Sequence, residues 1–431
     1  MIKSSIKRLV NSRFVRNVVM VGGGIAIGHA IVLIFMPFIT RLYGPDAFGA
    51  AASFSAIANI VMPLATLGYA TAIVMPESDE DASAIARLAI LCGLIITPIL
   101  LVMVYLAKPW LVVWTGMEQT PYMLYFIPIS LLITSFLSVA NQSAIRMHLF
   151  KAKARAKIES TLISNIAKLV SGFFVPSGFT LIIFTLFEKL ANFIMQLVHV
   201  PRKGVLKISN WFGLKGVKTA AKSQLDFAIY RMPQSLLNAV SVSLPVLLLS
   251  TFFGVNTAGQ YSLAAMALGA PAMLIGQAIG EVFYPKITRA IKSKNSGAPQ
   301  LLLKATIVLF AIGSIPFGVI FIWGDRLFPL IFGIEWALAG SYAQWISLWL
   351  LSVLTAGASV AALPALKLQG FLLVNEIISV LLRVIAFYIA FYYLKSDIYA
   401  IALFSIVNVL INFSIIFYAC SNVFKTNRSV I

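Results

Sequence analysis

Charged side chains are scarce in this sequence of 431 residues, and acidic ones are the scarcest. Charged residues make up 11% of the chain and hydrophobic residues 60%, with 33 Lys and Arg against 14 Asp and Glu. A soluble domain has about 25% charged residues, so this apolar surplus does not fit one globular core. In a soluble protein the net charge of +19 would indicate nucleic acid. Here the basic residues cluster between apolar runs, which indicates a membrane surface and no nucleic-acid partner.

The sequence also lacks the common motifs of catalysis and metal binding. It contains no G-x-x-x-x-G-K-[ST] phosphate loop, no H-E-x-x-H, no C-x-x-C and no nucleophile elbow. The two cysteines, Cys92 and Cys420, both lie in apolar runs, which excludes a disulfide framework. These absences predict a protein that is not an enzyme and that uses no cofactor or metal. Without a nucleotide site, we expect any transport to be coupled to a proton or sodium gradient.

What the sequence has instead is a series of apolar runs of about twenty residues, the length of a helix that crosses a bilayer. They predict an all-α polytopic membrane protein with about twelve transmembrane helices. The predicted spans are 18–40, 47–74, 85–107, 121–143, 158–176, 178–200, 229–253, 261–283, 301–323, 340–362, 372–394 and 398–420.

The distribution of basic residues predicts the orientation of these helices. With the N-terminus inside, the cytoplasmic segments and helix edges hold 26 of the 33 Lys and Arg. The outside loops hold only Arg41, Lys108, Arg326 and Lys395. This asymmetry follows the positive-inside rule and predicts that both termini are cytoplasmic.

The longest connection, residues 201–226, divides the chain into two halves. It is basic, and its apolar residues indicate an amphipathic segment resting on anionic lipid. We therefore predict an N-terminal six-helix lobe at 1–200, a cytoplasmic amphipathic linker at 201–228 and a C-terminal six-helix lobe at 229–431. The apolar residues are Val205, Leu206, Ile208, Trp211, Phe212 and Leu214.

The two halves carry a weak internal repeat. Gly44 and Gly49 follow the end of the first predicted helix, and Gly254 and Gly259 follow the end of the seventh with the same spacing, 210 residues later. Repeats of six helices enter the membrane in the same direction, so an axis along the membrane normal would relate them. A binding site between such repeats, near the bilayer midplane, is typical of transporters.

Three basic residues fall well inside predicted helices: Lys168, Lys189 and Arg383. Each costs about 2.5–3.5 kcal/mol on insertion scales, so each is expected to face a partner or a wet cavity. One interpretation is structural, with Lys168 paired to Glu188 and Arg383 to Glu376. The other is a cationic cavity for an anionic head group such as a diphosphate. The excess of bases over acids favours the cavity.

Further polar residues extend this hypothesis to other helices. Asn192 and Gln196 continue the stripe that begins at Glu188, and Arg231 and Asn238 share a face of the seventh helix. Arg231 lies near the cytoplasmic end, so a snorkelling role is an equal alternative. The complete set of predicted cavity residues is Lys168, Lys189, Arg383, Glu188, Glu376, Asn192, Gln196, Arg231, Asn238, Gln277 and His29. His29 is included as a cavity or proton-carrying residue.

Short glycine- and proline-rich stretches give the sequence a family resemblance. They are T-R-L-Y-G-P-D-A-F-G at 40–49, L-G-Y-A-T-A-I-V-M-P at 67–76, G-V-N-T-A-G-Q-Y at 254–261, A-P at 270–271 and V-F-Y-P at 282–285. In these stretches, in length and in helix count, the chain resembles the oligosaccharide flippases of O-antigen and capsule export. Those proteins belong to the multidrug/oligosaccharidyl-lipid/polysaccharide exporter superfamily.

This resemblance implies two lobes that form a V around a central cavity. It implies a flippase that moves an undecaprenyl-diphosphate-linked oligosaccharide from the cytoplasmic to the periplasmic face of the bacterial inner membrane. Alternating access would serve lipopolysaccharide O-antigen, capsule or exopolysaccharide synthesis, with membrane lipids and the pathway's polymerase and chain-length proteins as partners. The family offers no catalytic motif to transfer to this chain.

Three alternatives were weighed against the flippase. A drug or cation antiporter of the same superfamily would favour a cavity rich in Asp and Glu, whereas this one is richer in Lys and Arg. A lipid II flippase would need about two further helices. An O-antigen polymerase or ligase, an enzyme, would need a large outside loop, and none is predicted.

Overall fold

In the computed structural model, residues 13–118, 120–200, 204–292, 297–366 and 368–428 are described. Within these ranges the chain is helical, with short connections and no strand. The helices are α1 Arg13–Leu42, α2 Pro45–Val61, α3 Tyr69–Ala72, α4 Asp79–Thr115, α5 Phe126–Arg146, α6 Phe150–Gly172, α7 Gly178–His199, α8 Val217–Ser223, α9 Met232–Phe253, α10 Val255–Lys292, α11 Ala298–Phe332, α12 Ala337–Ala365, α13 Gln369–Ile389 and α14 Asp397–Arg428.

The all-α multi-pass prediction is confirmed. In the described part of the chain nine helical spans are long and apolar enough to cross a membrane, and Ala26–Leu42 is a shorter apolar helix. The remaining two predicted segments lie on α6 and α10, which are long but more polar. Each predicted segment therefore coincides with helical structure, while the count of twelve crossings stays a prediction.

The second predicted helix, 47–74, is not continuous, and this prediction was wrong. After α2 the chain forms a tight helical turn at Met62–Ala65, then passes through left-handed backbone at Leu67 (φ 48°) and Gly68 (φ 78°) before α3. Pro63 lacks a backbone N–H and cannot continue the helix ladder. The carbonyl of Ala65 is instead satisfied by the Ser135 hydroxyl on α5, at 2.9 Å. Hydropathy recorded one apolar run and missed the break.

Helix ends are set by capping groups that an apolar count does not register. Helix α4 begins at Asp79, and its cap is Ser78, whose hydroxyl accepts the backbone N–H of Asp81 at 3.0 Å. Acidic residues fill its first turn, as the helix dipole favours. It ends at Gly116, which adopts left-handed backbone with φ 63°. The predicted span 85–107 covers only the apolar middle of this helix.

The chain forms two compact units, Met1–Gly259 and Gln260–Ile431. The boundary follows α9, whereas the sequence suggested a division at the 201–228 linker. Helix α9 belongs to the first unit because it packs against α2, and because its Ser250 and Thr251 hydroxyls donate to the carbonyls of Thr115 and Trp114 at 2.7 and 2.9 Å. The division into two six-helix membrane lobes stays a prediction.

The linker packs on the first unit and does not lie wholly in a lipid interface. Val205, Leu206 and Trp211 are buried in a core that includes residues of α4 and α5, and the Trp211 indole donates to the Val205 carbonyl at 2.6 Å. The prediction that all six apolar side chains face lipid was therefore wrong for these three. Ile208, Phe212 and Leu214 are exposed, and their contact with lipid stays a prediction. The combination of basic and apolar residues identified an amphipathic segment. It did not show that part of the apolar side packs against protein.

The second unit is built around α12, which packs against α11 and α14. Small buried residues, among them Ala358 and Ala362 of α12 and Ala419 of α14, allow these helices to approach closely. At the other end of α12, the amide of Gln260 donates to the Glu335 carbonyl at 2.7 Å and accepts the Ala339 N–H at 2.9 Å. One side chain thus satisfies backbone groups where α12 begins.

The two glycine motifs of the sequence repeat meet each other within the first unit. A Cβ at Gly49, in the first turns of α2, would fall against the carbonyl of Val255 at the start of α10. A Cβ at Gly259 would fall against the carbonyl of Pro45 at the start of α2. The offset of 210 residues relates Gly49 to Gly259 and Pro45 to Val255. Gly49 lies against Val255, and Gly259 lies against Pro45, so the two contacts are equivalent under this offset. This reciprocity is what a two-fold relation between repeats produces.

We expect Gly49→Ala to destabilise the protein, because the new methyl group has no space against the Val255 backbone. Overpacking of this kind costs about 1–3 kcal/mol, which a lower midpoint of thermal unfolding in detergent would report. The matched control is Gly318→Ala in α11, where a Cβ meets nothing within 4 Å. That control should leave the midpoint unchanged or raise it, and an equal response of both variants would contradict the close crossing.

Candidate functional site

A cavity of about 740 Å³ lies within the first unit, between the broken segment after α2 and helices α5, α6, α7 and α9. Its walls combine apolar side chains, among them Met62, Phe150 and Met232, with many polar ones. The lining includes the hydroxyls and amides of Asn59, Thr66, Thr71, Thr134, Ser138, Asn141, Gln142, Asn192 and Ser235, and the basic residues Lys153, Lys157 and Arg231.

The charge of this cavity has one sign. Lys153 and Lys157 face it from α6 and Arg231 from the turn before α9, and no carboxylate lines it among the described residues. Lys153 precedes the predicted membrane span of its helix, and burial lowers its pKa from the ordinary range. A partly desolvated cation gains more from an anionic partner than a cation in water does. The cavity is therefore suited to an anion.

The broken segment supplies irregular backbone to the cavity wall. Pro63, Thr66, Gly68 and Thr71 line it, and the Thr71 hydroxyl is held by the Gly68 carbonyl at 2.7 Å. Non-helical backbone at membrane depth is tolerated where it is buried in protein or lines a wet cavity. Interrupted helices beside a polar cavity are a recurrent feature of transporter binding sites.

One residue of the predicted stripe on α7 lies in the wall of this cavity. Asn192 lines it, and its side-chain oxygen accepts the amide of the buried Gln196 at 2.8 Å. The same Gln196 amide donates to Asn141 of α5 at 3.1 Å. Gln196 therefore lies behind the wall and holds two amides that face the cavity. The arrangement presents fixed hydrogen-bonding groups to a polar ligand.

Glu188, also on α7, gathers three donors from α6. The Lys157 ammonium lies 2.6 Å from one carboxylate oxygen, and the Thr161 hydroxyl donates to the same oxygen at 2.9 Å. The Lys168 ammonium lies 4.0 Å from the other oxygen. The structural pairing of Lys168 with Glu188 is thus present, but the shorter ion pair is made by Lys157. Neither Lys168 nor Glu188 lines the cavity. Lys157 lines the cavity and also pairs with Glu188.

Lys189 does not line the cavity either. Its ammonium donates to the Ser130 hydroxyl of α5 at 3.0 Å and lies 3.8 Å from the Met62 sulfur. These contacts tie α7 to α5 and to the turn after α2. Glu188 and Lys189 are adjacent in sequence but project from different faces of the helix toward different partners. The sequence alone did not show this difference.

Arg383 and Glu376 form a pair in the second unit. The guanidinium lies 3.5 Å from the Glu376 carboxylate and donates twice to the side-chain oxygen of Asn408 on α14, at 3.1 and 2.7 Å. It also lies over the Phe404 ring, 5.8 Å from the centroid. This geometry joins α13 to α14 and matches the structural interpretation of the pair.

The remaining predicted residues are not collected at the cavity. Asn238 is exposed on α9, and His29 is half-buried on α1, beside Gly28, which packs against the aliphatic part of Lys157. The Gln277 side chain lies outside the part of the chain that the structure describes. Of the eleven residues predicted for the cavity, the described lining contains Asn192 and Arg231.

Sequence reasoning missed Lys153, Lys157, Asn141 and Gln142. The two lysines were counted as cytoplasmic charges because they precede the apolar part of the fifth predicted helix. A helical spacing was available, since Lys157, Thr161 and Lys168 are four and eleven residues apart and share a face. The helix that carries them begins at Phe150, well before the predicted start at residue 158.

Comparison with known proteins places the chain in a family. A family model described as polysaccharide biosynthesis protein matches residues 38–340, about 70% of the chain. The chain belongs to this family. The resemblance noted in its glycine and proline motifs is thereby confirmed, since the matched residues include all of these motifs.

A curated relative carries a transport role in its name. The chain is 20% identical over 309 residues to the succinoglycan biosynthesis transport protein ExoT of Rhizobium meliloti (strain 1021). The match covers 70% of this polysaccharide biosynthesis protein and 59% of the relative, so the chain spans less than two thirds of that relative's length.

Solved structures show the fold. The lipid II flippase MurJ in an inward closed conformation is 13% identical, with a TM-score of 0.74, and the match covers 95% of this chain and 90% of MurJ. An inward-facing multidrug resistance MATE family transporter of the MOP superfamily is also 13% identical, with a TM-score of 0.67 and coverage of 93% and 96%. At such identities the likeness shows the fold alone.

We expect Asn408→Ala to destabilise the second unit, because it removes the oxygen that accepts two hydrogen bonds from a half-buried guanidinium. Loss of hydrogen bonds to a charged group costs about 1.5–3 kcal/mol. Thermal unfolding of the purified protein measures the effect. Asn238→Ala, at an exposed position on α9, should leave the midpoint unchanged. Equal midpoints for Asn408→Ala and wild type would contradict a structural role for Arg383.

Proposed function

We propose that this polysaccharide biosynthesis protein is a flippase for an undecaprenyl-diphosphate-linked oligosaccharide repeat unit. It would move the unit from the cytoplasmic to the periplasmic face of a bacterial inner membrane, for O-antigen, capsule or exopolysaccharide synthesis. The observation that carries this proposal is the cavity of the first unit, which has three basic residues and no carboxylate in its described lining. Family membership and the transporter fold support it.

The chemistry of the lining fits both parts of such a head group. Lys153 and Lys157 offer compact charges and Arg231 a planar fork of donors, the two forms in which proteins bind phosphate. The amides of Asn59, Asn141 and Gln142 and the nearby hydroxyls fit the hydroxyl groups of a sugar. The polyprenyl chain would remain in the bilayer, because hydrocarbon solvates it without the cost of burying it beside basic side chains.

The position of the cavity supports loading from the cytoplasm. Lys153 follows the predicted cytoplasmic connection between the fourth and fifth helices, and Arg231 follows the predicted cytoplasmic linker. A head group that enters at this end would neutralise the basic lining, and alternating access of the two lobes would then expose it to the periplasm. Both termini would be cytoplasmic. Membrane lipids and the pathway's polymerase and chain-length proteins would be the partners.

A drug or cation antiporter of the same superfamily is the second candidate, and the cavity disfavours it. A cationic ligand would enter beside Lys153, Lys157 and Arg231 without a carboxylate in the described lining to attract it. The ligand and these basic side chains would repel each other, and the repulsion is stronger where water is partly excluded. An O-antigen polymerase or ligase has no observation in its favour among the described residues.

Removing charge from the cavity should reduce transport. We expect Lys157→Met or Arg231→Met to lower surface-polysaccharide export in a strain that lacks the protein, and Lys153→Met combined with either to abolish it. Arg231→Lys should be intermediate, because a fork of donors is replaced by a point charge. Membrane levels of each variant are measured alongside. Lys218→Met, at an exposed position of the linker, is the control and should export normally. Normal export by a well-inserted Lys153, Lys157 and Arg231 triple Met variant would refute the proposal.

Transport should depend on an ion gradient and not on ATP. In proteoliposomes, collapse of the proton or sodium gradient by an ionophore should slow the flipping of a fluorescently labelled undecaprenyl-diphosphate oligosaccharide. The readout is accessibility of the label to a membrane-impermeant quencher. A strict requirement for added ATP in the purified system would overturn this expectation, and insensitivity to every imposed gradient would exclude ion coupling.

A further inference from the structure

Lys157 has two potential partners on opposite sides. It lines the cavity, and 44% of its side chain is exposed. At the same time its ammonium is held at 2.6 Å by the Glu188 carboxylate, of which 17% is exposed. An anion that enters the cavity therefore meets a lysine that already has a negatively charged neighbour behind the wall.

Glu188 in turn does not depend on Lys157 alone. The Thr161 hydroxyl donates to it at 2.9 Å, and the Lys168 ammonium stands 4.0 Å from its other oxygen, a distance at which an ion pair is incomplete. The Lys168 side chain is 15% exposed, so it is shielded from the cavity. The cluster holds two ammonium groups against one carboxylate and carries a net charge of +1 without a ligand.

We propose that Glu188 is an internal competitor that sets the affinity of Lys157 for the phosphate of the transported lipid and promotes its release. When a phosphate oxygen binds Lys157, the lysine leaves Glu188, and Lys168 closes on the carboxylate in its place. When Glu188 regains Lys157, the phosphate is freed. This inference rests on the proposed function, because it assumes a diphosphate cargo in the cavity.

The physical reason for such a device is that a transporter must release what it binds. Three cations in a partly desolvated cavity would hold a diphosphate tightly on both sides of the membrane, and tight binding alone slows turnover. A resident carboxylate weakens the bound state without a new site. Because Lys168 can compensate Glu188 during the exchange, no buried charge is left without a partner at any stage.

The arrangement makes opposite predictions for the two residues. Glu188→Gln keeps the size of the side chain but removes the competing charge, so affinity for phosphate should rise about tenfold, the equivalent of about 1.4 kcal/mol. Lys168→Met leaves Glu188 more dependent on Lys157, so affinity should fall about fivefold, and this effect should disappear in the double variant. A phosphate contact made by Lys168 itself would instead weaken binding equally in both backgrounds.

The experiment measures binding of undecaprenyl diphosphate to the purified full-length protein in detergent, with the flipping rate measured in proteoliposomes. We expect Glu188→Gln to bind more tightly and flip more slowly than wild type. Glu159→Gln is the matched control on α6: its carboxylate pairs with His199 at 2.6 Å and Arg155 at 2.7 Å, away from the cavity lining, and it should change neither quantity. Thermal midpoints exclude loss of folding, and Lys168→Met carries the test if Glu188→Gln does not fold.

The outcomes separate the two proposals. If wild type does not bind undecaprenyl diphosphate, the diphosphate cargo is wrong and the proposed function fails with it. If wild type binds but folded Glu188→Gln binds equally or more weakly, the cargo stands and Glu188 is not a competitor. Equal losses for Lys168→Met with and without Glu188→Gln would also overturn the inference, because they would make Lys168 a direct ligand.

Discussion

A charge at membrane depth must have a partner, and this constraint governs the packing around Lys168, Lys189 and Arg383. A lone ammonium in hydrocarbon is costly, so the chain supplies an acceptor for each one on a neighbouring helix. Lys189 has Ser130, and Arg383 has Asn408 and Glu376. Because Ser130 and Asn408 belong to other helices, these contacts join α7 to α5 and α13 to α14. A group that is fully compensated in this way adds to the cohesion of its unit.

The cavity is the place where compensation is incomplete. Arg231 is exposed. The Lys157 ammonium contacts the Glu188 carboxylate on one side, and the Lys157 side chain lines the cavity on the other. Surplus positive charge in a polar hollow is unfavourable until an anion arrives, so the energy of the empty site favours a ligand of opposite sign. The same electrostatics that join helices elsewhere thus prepare this wall for binding, and the difference lies only in the number of acceptors within reach.

The sequence predicted most of the helices because the bilayer requires a minimum apolar length of each crossing helix. The predicted spans lie on helical structure apart from the break in the second, and the pairs Lys168–Glu188 and Arg383–Glu376 are among the interpretations that the sequence offers. The break at residues 62–72 could not be predicted with the same rule, since proline is common in continuous membrane helices and the left-handed backbone at Leu67 leaves no mark in hydropathy. The cavity residues were missed for a related reason: Lys153 and Lys157 stand before the apolar part of their helix, where a basic residue usually marks the membrane edge.

Whether a charge faces a cavity or a partner depends on rotation about the helix axis, and one sequence constrains rotation weakly. Glu188 and Lys189 are neighbours in the chain, yet their side chains reach α6 and α5 respectively. The three intramembrane bases looked equivalent in sequence because all three are rare and unfavourable. Only the distances distinguish Lys168, whose partner Glu188 also binds Lys157 of the cavity wall, from Lys189 and Arg383, whose partners do not line the cavity.

The crossing of Gly49 with Val255 bears on the order in which the chain is completed during synthesis. The partner of this glycine is made more than two hundred residues later, after the linker and all of α9. Until the start of α10 is made, Gly49 of α2 lacks this contact, and the first unit is unfinished. A nascent chain that stops in the linker therefore lacks the contact as well. The first unit can therefore be completed only after synthesis has reached the second glycine motif.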